Sequence, residues 1–317
     1  MTRLGFTGPV FGFDVRATSE LARKAEGMGY TDCWTAETSG PDGFSVASAV
    51  GVSTKSLRLG IAIAPVYTRP PALMAMSALA VYQATEGRFC LGLGASSPVI
   101  VEGWMGEKLE RPLTYMREAV EVVRSAFAGD KVDFKGTTAT VRGFRLDGAP
   151  KEQLPIFLAA LGPQMMALTN EIADGIVLYL ATEEGVRIAA KACPGKEIAE
   201  RIMVCPDEDV DQVRGAVRWM LTPYVAVPAY NRFIAAQGFE DEARQVADAW
   251  KNNEREKARD AVSDRLIDAL VIMGSADECK ERLESFREAG LVTPILAPFS
   301  LTGDPKKVEA ALKSLAP

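Results

Sequence analysis

No histidine occurs among the 317 residues, which removes Ser/His/Asp triads, Cys/His dyads, imidazole general bases and most zinc sites at once. Proton handling falls to carboxylates, phenols and hydroxyls, and those lying just after apolar runs include Glu37, Tyr67 and Ser96. The acidic clusters Glu102, Glu107, Glu110 and Asp207, Glu208, Asp209 read as solvated loop faces. The stretch LGLGASS, Leu91 to Ser97, lacks GxGxxG spacing and has no helix directly after it. It reads either as a phosphate loop or as tight packing that lets a flat ring approach Gly94. LGPQMM, Leu161 to Met166, places Pro163 at a first helical position, which aims amide N–H groups at an anion such as a phosphodiester or is simply a well-made helix start. Trp34 and Tyr67 would flank a planar ligand or pack a rim, and Arg69 would anchor its loop or touch ligand.

The elements that must position these residues alternate between short apolar runs and amphipathic segments, the signature of a parallel sheet. Strands are expected at residues 4–7, 32–36, 57–63, 89–94, 155–160, 175–180, 201–204 and 291–297. Helices are expected at 17–29, 44–53, 71–84, 114–129, 163–172, 275–289 and 305–315, with two more around 210–221 and 241–252 separated by PYVAVPAYNRF. On the helix at 114–129, Met116, Val120, Val123 and Phe127 form one apolar stripe, and Ser275 with Glu278 forms a capping box. Eight strands joined by helices predict an α/β fold, a (β/α)8 TIM barrel with insertions after strands four and seven. The first insertion includes a hairpin at 131–145, and the chain, 1–317, is expected to be one domain. In such a barrel the chemistry sits at the carboxyl ends of the strands, where Glu37, Ala64 to Arg69, Ala95 to Pro98 and Leu161 to Gln164 fall.

Composition narrows the partners. Hydrophobic residues make up 48% and charged ones 25%, and the net charge of −6 argues against nucleic acid and for a small-molecule substrate. The five cysteines form no CxxC pair and read as reduced packing residues, so no metal is expected. The amino terminus has no signal-peptide pattern and no run is apolar enough to span a membrane, giving the expectation of a cytoplasmic protein.

Five stretches in order, ARKAEGMGYTDCWTAE, LRLGIAIAPVYTRPP, TEGRFCLGLGASS, FLAALGPQMMALTNEIADGIVLYL and VIMGSADECKERLESFREAGL, resemble the bacterial luciferase-like superfamily. The resemblance covers nearly the whole chain and is to the branch using the deazaflavin coenzyme F420, notably methylene-tetrahydromethanopterin reductase-like proteins. It implies a non-proline cis peptide between Ala62 and Ile63, in a bulge running to Ala64 that backs the coenzyme ring. It further implies that Glu37 lies near the ring, Ala95 and Ser96 near its side chain, and Gly162, Pro163, Gln164 and Met165 near its phosphate end, while Gly94 and Leu161 join the expected coenzyme-binding residues. Sugar-phosphate-oxidising relatives carry histidine where Thr38 stands and glutamate where Ala95 stands, so that acid–base pair is missing here. The reductases carry a first-strand glutamate that LGFTGP lacks.

The implied activity is hydride transfer between coenzyme F420 and a small organic substrate, with Glu37, Tyr67 or Ser96 relaying a proton where the substrate needs one. Two alternatives remain: an FMN-dependent monooxygenase of the same superfamily, and a catalytically silent flavin-binding barrel. PYVAVPAYNRF would shape the substrate pocket or a contact in a homodimer.

Overall fold

The computed structural model describes residues 2–10 and 12–317. Eight strands close into a parallel barrel: β1 (Gly5–Thr7), β2 (Asp32–Thr35), β3 (Arg58–Ile61) with a two-residue continuation β4 (Ala64–Pro65), β5 (Phe89–Gly94), β8 (Ile156–Ala159), β9 (Gly175–Tyr179), β10 (Glu197–Pro206) and β12 (Thr293–Pro298). The ring closes because β1 pairs in parallel with both β2 and β12. Between β5 and β8 lies the antiparallel hairpin β6 (Lys131–Lys135) and β7 (Thr140–Arg145).

Helices α1 (Val15–Gly27), α2 (Gly43–Ser53), α3 (Pro71–Ala84), α4 (Pro112–Phe127), α5 (Pro163–Ile172) and α6 (Glu183–Ala192) cover the outside. After β10 come α7 (Val210–Val225), α8 (Pro228–Ala236), α9 (Glu240–Lys251), α10 (Arg255–Asp260) and α11 (Asp264–Leu270). Strand β11 (Val271–Gly274), α12 (Ala276–Glu288) and α13 (Pro305–Ser314) complete the chain. The expected fold holds, with both insertions in place, and the capping box at Ser275 and Glu278 forms. The stripe Met116, Val120, Val123 and Phe127 is buried.

Four local expectations need correction. PYVAVPAYNRF does not separate two helices but is helical itself, ending α7 and starting α8 on Pro228, whose missing N–H costs nothing at a first helical position. The seventh barrel strand begins at Glu197 rather than 201, because Glu197 and Arg201 find partners inside the barrel. Residues 183–192, read as no element, form α6, and Val271–Gly274 adds a strand along the upper half of β10.

Alternation along the strands sorts the barrel interior into layers. At the amino-terminal end Arg58 donates to Asp32 (2.5 Å) and Glu197 (2.5 Å), Arg3 pairs with Asp32 at 3.0 Å, and Thr293 donates to Glu197. Above them the Trp34 and Phe157 rings meet edge to face at 5.6 Å, beside Cys90, Val177, Ala199 and Ile295. Glycine is required here: a Cβ on Gly60 would overlap Trp34, and one on Gly175 would overlap Phe157. Burying each ring contributes about 1.5–3 kcal/mol, so the two small residues opposite are a stabilising choice. The top layer holds Thr7, Ile63, Gly94, Ala159, Tyr179 and Arg201, and opens at the carboxyl ends of the strands.

Candidate active site

One half of the barrel mouth is a small apolar shelf. The chain leaves β3 through a bulge in which the Ala62–Ile63 peptide is cis. The Ala62 N–H donates to the Thr35 carbonyl at 2.6 Å, and the Val66 N–H to the Gly94 carbonyl at 2.9 Å, tying the bulge to both neighbouring strands. Ala62 and Ile63 remain half-buried, facing the mouth. A Cβ on Gly94 would stand 2.7 Å from Ile63 and 3.3 Å from Ala159, so glycine lets the shelf stay flat. Ala64 is fully buried and pairs with Leu93, which makes it a brace behind the shelf.

Glu37 adjoins this shelf, since its N–H donates to the Ile63 carbonyl at 3.4 Å. Its carboxylate pairs with Arg69 at 2.5 Å and accepts from the Gly43 N–H at 3.3 Å. Burial pushes the Glu37 carboxyl above the usual glutamate range, and the Arg69 charge only partly offsets that. Arg69 also pairs with Asp42 at 2.9 Å and lies over the Phe44 ring at 4.6 Å, so it holds carboxylates together across the loop after β2. Tyr67 is buried, packs on Tyr115 at 4.6 Å and donates its hydroxyl to the Glu110 carbonyl at 2.7 Å. Burial pushes its phenol up to about 12.

Ala95 and Ser96 follow β5, half-buried, with Ser96 at φ 64° in the left-handed region. Beyond them a π-helix over Val99–Trp104 replaces an irregular stretch. Glu102, Glu107 and Glu110 are exposed on this loop. In the second acidic cluster, Asp209 caps α7 and Glu208 pairs with Lys307. After β8, Leu161 and Gly162 lead into α5, where Pro163 is the first residue and no side chain caps the first turn. Gln164 is exposed, Met165 is half-buried, and a Cβ on Gly162 would meet nothing within 4 Å. An uncapped helix start beside an apolar shelf suits a ligand with a flat ring at one end and an anion at the other. These residues therefore fit a deazaflavin or flavin mononucleotide.

The opposite half of the mouth is polar. Arg201 at the inward face of β10 lies 5.2 Å from the Tyr179 ring centre and donates to the Thr7 hydroxyl at 3.4 Å. Tyr179, Tyr224 and Tyr230 meet edge to face with centres 5.5–6.1 Å apart. Sequence reasoning missed Thr7, Tyr179 and Arg201; the inward-facing alternation of Glu197, Ala199 and Arg201 was the available signal. A groove lined by Arg218, Trp219, Arg259 and Asp264 lies on the helices after β10, away from the strand ends. Its charges are paired, Arg218 with Asp264 and Arg259 with Asp260, so it is no competitor for the chemistry.

Comparison with known proteins gives relatives along almost the entire chain. A Mycobacterium tuberculosis protein named as a coenzyme F420-dependent oxidoreductase is 27% identical, with 88% of this chain and 89% of that one covered. The 5,10-methylenetetrahydromethanopterin reductase of Archaeoglobus fulgidus is 27% identical over 89% of each chain. Among solved structures, the coenzyme F420-dependent tetrahydromethanopterin reductase of Methanopyrus kandleri superposes with a TM-score of 0.77 at 21% identity, covering 99% of this chain and 98% of that one. The luciferase-like monooxygenase family model matches residues 3–293, and with the barrel and its bulged third strand in place, the chain belongs to that family.

Proposed function

We propose that this protein is a coenzyme F420-dependent oxidoreductase that passes a hydride between the deazaflavin and a small organic substrate. The observation that carries the reading is the flat shelf of Ala62, Ile63 and Gly94 beside the uncapped start of α5. The F420-dependent relatives of similar length support the choice of coenzyme. When bound, the coenzyme supplies a two-electron carrier whose reacting carbon delivers or accepts hydride. Ile63 and Gly94 would back its ring, Ala95 and Ser96 would border its side chain, and Leu161 to Met165 would hold its phosphate end. Glu37 is the group best placed to hold a proton near the shelf, because burial raises its carboxyl. Tyr67 and Ser96 are the other candidates, although the Tyr67 proton is engaged by the Glu110 carbonyl.

We further infer a cytoplasmic homodimer. Five buried free thiols support a reducing compartment, and exposed Val52, Leu73 and Met76 on α2 and α3 support an apolar contact between copies. Among the described residues no helix is long and apolar enough to cross a membrane.

Titrating purified protein with F420 and, separately, with FMN, following the fluorescence of each, tests the coenzyme. F420 is expected to bind and FMN to bind weakly or not at all. Tight FMN binding with none of F420 would overturn the reading in favour of a flavin monooxygenase. Failure to oxidise reduced F420 with any of a broad substrate panel would favour a silent barrel.

A further inference from the structure

The polar half of the mouth has no task in the coenzyme reading, and its chemistry is specific. Arg201 stands above Ala199 and Glu197 on the inward face of β10, so its guanidinium lies in the top layer of the barrel. It is half-buried, yet among the described residues it forms no ion pair, and its polar contacts are with two neutral groups, the Thr7 hydroxyl at 3.4 Å and the Tyr179 side chain. The other inward arginine, Arg58, is matched by Asp32 and Glu197, and Arg69 at the rim is matched by Glu37 and Asp42. A guanidinium partly withdrawn from water without a counter-ion is poised to take an anionic partner.

We propose that Arg201 is a specificity-determining residue that binds the carboxylate of the substrate, an inference that rests on the F420-dependent reading and names its substrate class. A planar guanidinium fork matches a carboxylate in two parallel hydrogen bonds. The Tyr179 ring centre lies 5.2 Å from the guanidinium carbon, within cation–π range, and supports it from one side. Tyr224 and Tyr230 complete the wall, and burial pushes the Tyr179 and Tyr230 phenols up, so both stay protonated. Tyr224 is 39% exposed and opens this cluster to solvent. One unpaired cation at the mouth of a chain with net charge −6 favours a singly charged carboxylate over a phosphate dianion. Aromatic walls favour an apolar body carrying that carboxylate. The substrate would therefore span the mouth, its carboxylate on Arg201 and its reducible bond over the shelf at Ile63 and Gly94.

Calorimetric titration with benzoate, its neutral isostere benzamide, and phenyl phosphate tests the site, on wild type, Arg201→Gln and Arg201→Lys, with F420 affinity measured separately on each. Wild type is expected to bind benzoate at least about tenfold more tightly than benzamide, the range of a hydrogen bond to a charged group. Arg201→Gln should erase that preference and Arg201→Lys keep part of it, with F420 affinity and circular dichroism unchanged. Equal or absent binding of benzoate and benzamide by wild type, a preference that survives in Arg201→Gln, or tighter binding of phenyl phosphate would overturn the proposal. So would a loss of F420 affinity in Arg201→Gln with the benzoate preference intact, which would assign the arginine to the coenzyme. An arginine-dependent benzoate preference in a protein that fails to bind F420 would uphold the carboxylate site and sink the coenzyme reading alone.

Discussion

At the scale of single residues, the balance at Glu37 decides what the loop after β2 does. Two opposing effects act on one carboxyl: burial raises its pKa, and the Arg69 charge at 2.5 Å lowers it, with burial the larger. Because the folded pKa lies above the unfolded one, protonated Glu37 suits the fold. Its contribution is full below the unfolded value and is lost as pH rises through the folded value. The carboxyl carbon of Glu37, followed by NMR against pH, should titrate above the ordinary value of 4.5. In Arg69→Gln, which removes the lowering charge, the midpoint should move higher still. A wild-type midpoint at or below 4.5, or a downward move in the variant, would contradict this account of the site. The pairing itself was half legible: an arginine after an apolar strand could hold a carboxylate or a ligand, and only the folded loop brings Glu37 and Asp42 to it.

At the scale of elements, the hairpin β6–β7 depends on one helix side chain. Glu118 on α4 is 7% exposed and accepts from the N–H groups of Thr137, Thr138 and Ala139 and from the Thr138 hydroxyl, at 2.6–2.8 Å. Burial alone would raise its carboxyl, but these four donors outweigh it and lower the pKa. A lowered folded pKa gives stability that is present above the unfolded value and lost as pH falls through the folded one. Glu118→Gln should therefore cost about 2 kcal/mol at neutral pH in urea unfolding. The difference from wild type should shrink progressively below pH 4.5, the ordinary glutamate value. A penalty independent of pH would mean that the charge is not what holds the turn. The hairpin was legible from alternation around Gly136, but its docking was not, since the distance from Glu118 to the turn is a tertiary fact. The same limit hid the start of β10: Glu197, Glu200 and Arg201 interrupt the apolar run that marks a buried strand, and they are tolerated because Arg58, the Ala181 N–H and the top layer receive them.

Across the whole molecule the barrel separates stability from function along its axis. The amino-terminal end is closed by charges that satisfy one another, the middle by Trp34 and Phe157, and the carboxyl end is left with a shelf on one side and an unpaired arginine on the other. That the fold was readable from alternating runs, while the interior polar layer was not, follows from the same axis. Outer faces and strand ends repeat with simple periods, whereas Asp32, Arg58, Glu197 and Thr293 meet only when the ring closes. The separation predicts opposite behaviour for two variants. Arg58→Met leaves Asp32, fully buried, with Arg3 as its one remaining cation and the Thr31 hydroxyl as its other donor, and should destabilise by about 3 kcal/mol. Coenzyme affinity of its folded fraction should be unchanged. Gly94→Val presses on Cγ1 and Cδ1 of Ile63 and on Cβ of Ala159, so it should cost about 1–3 kcal/mol. It should nonetheless weaken F420 at least about tenfold by intruding where the ring must lie. Urea unfolding and fluorescence titration on the same preparations separate the two effects. Reduced F420 affinity in Arg58→Met, or full affinity in Gly94→Val, would show that the ends of the barrel are not independent and would move the coenzyme off the shelf.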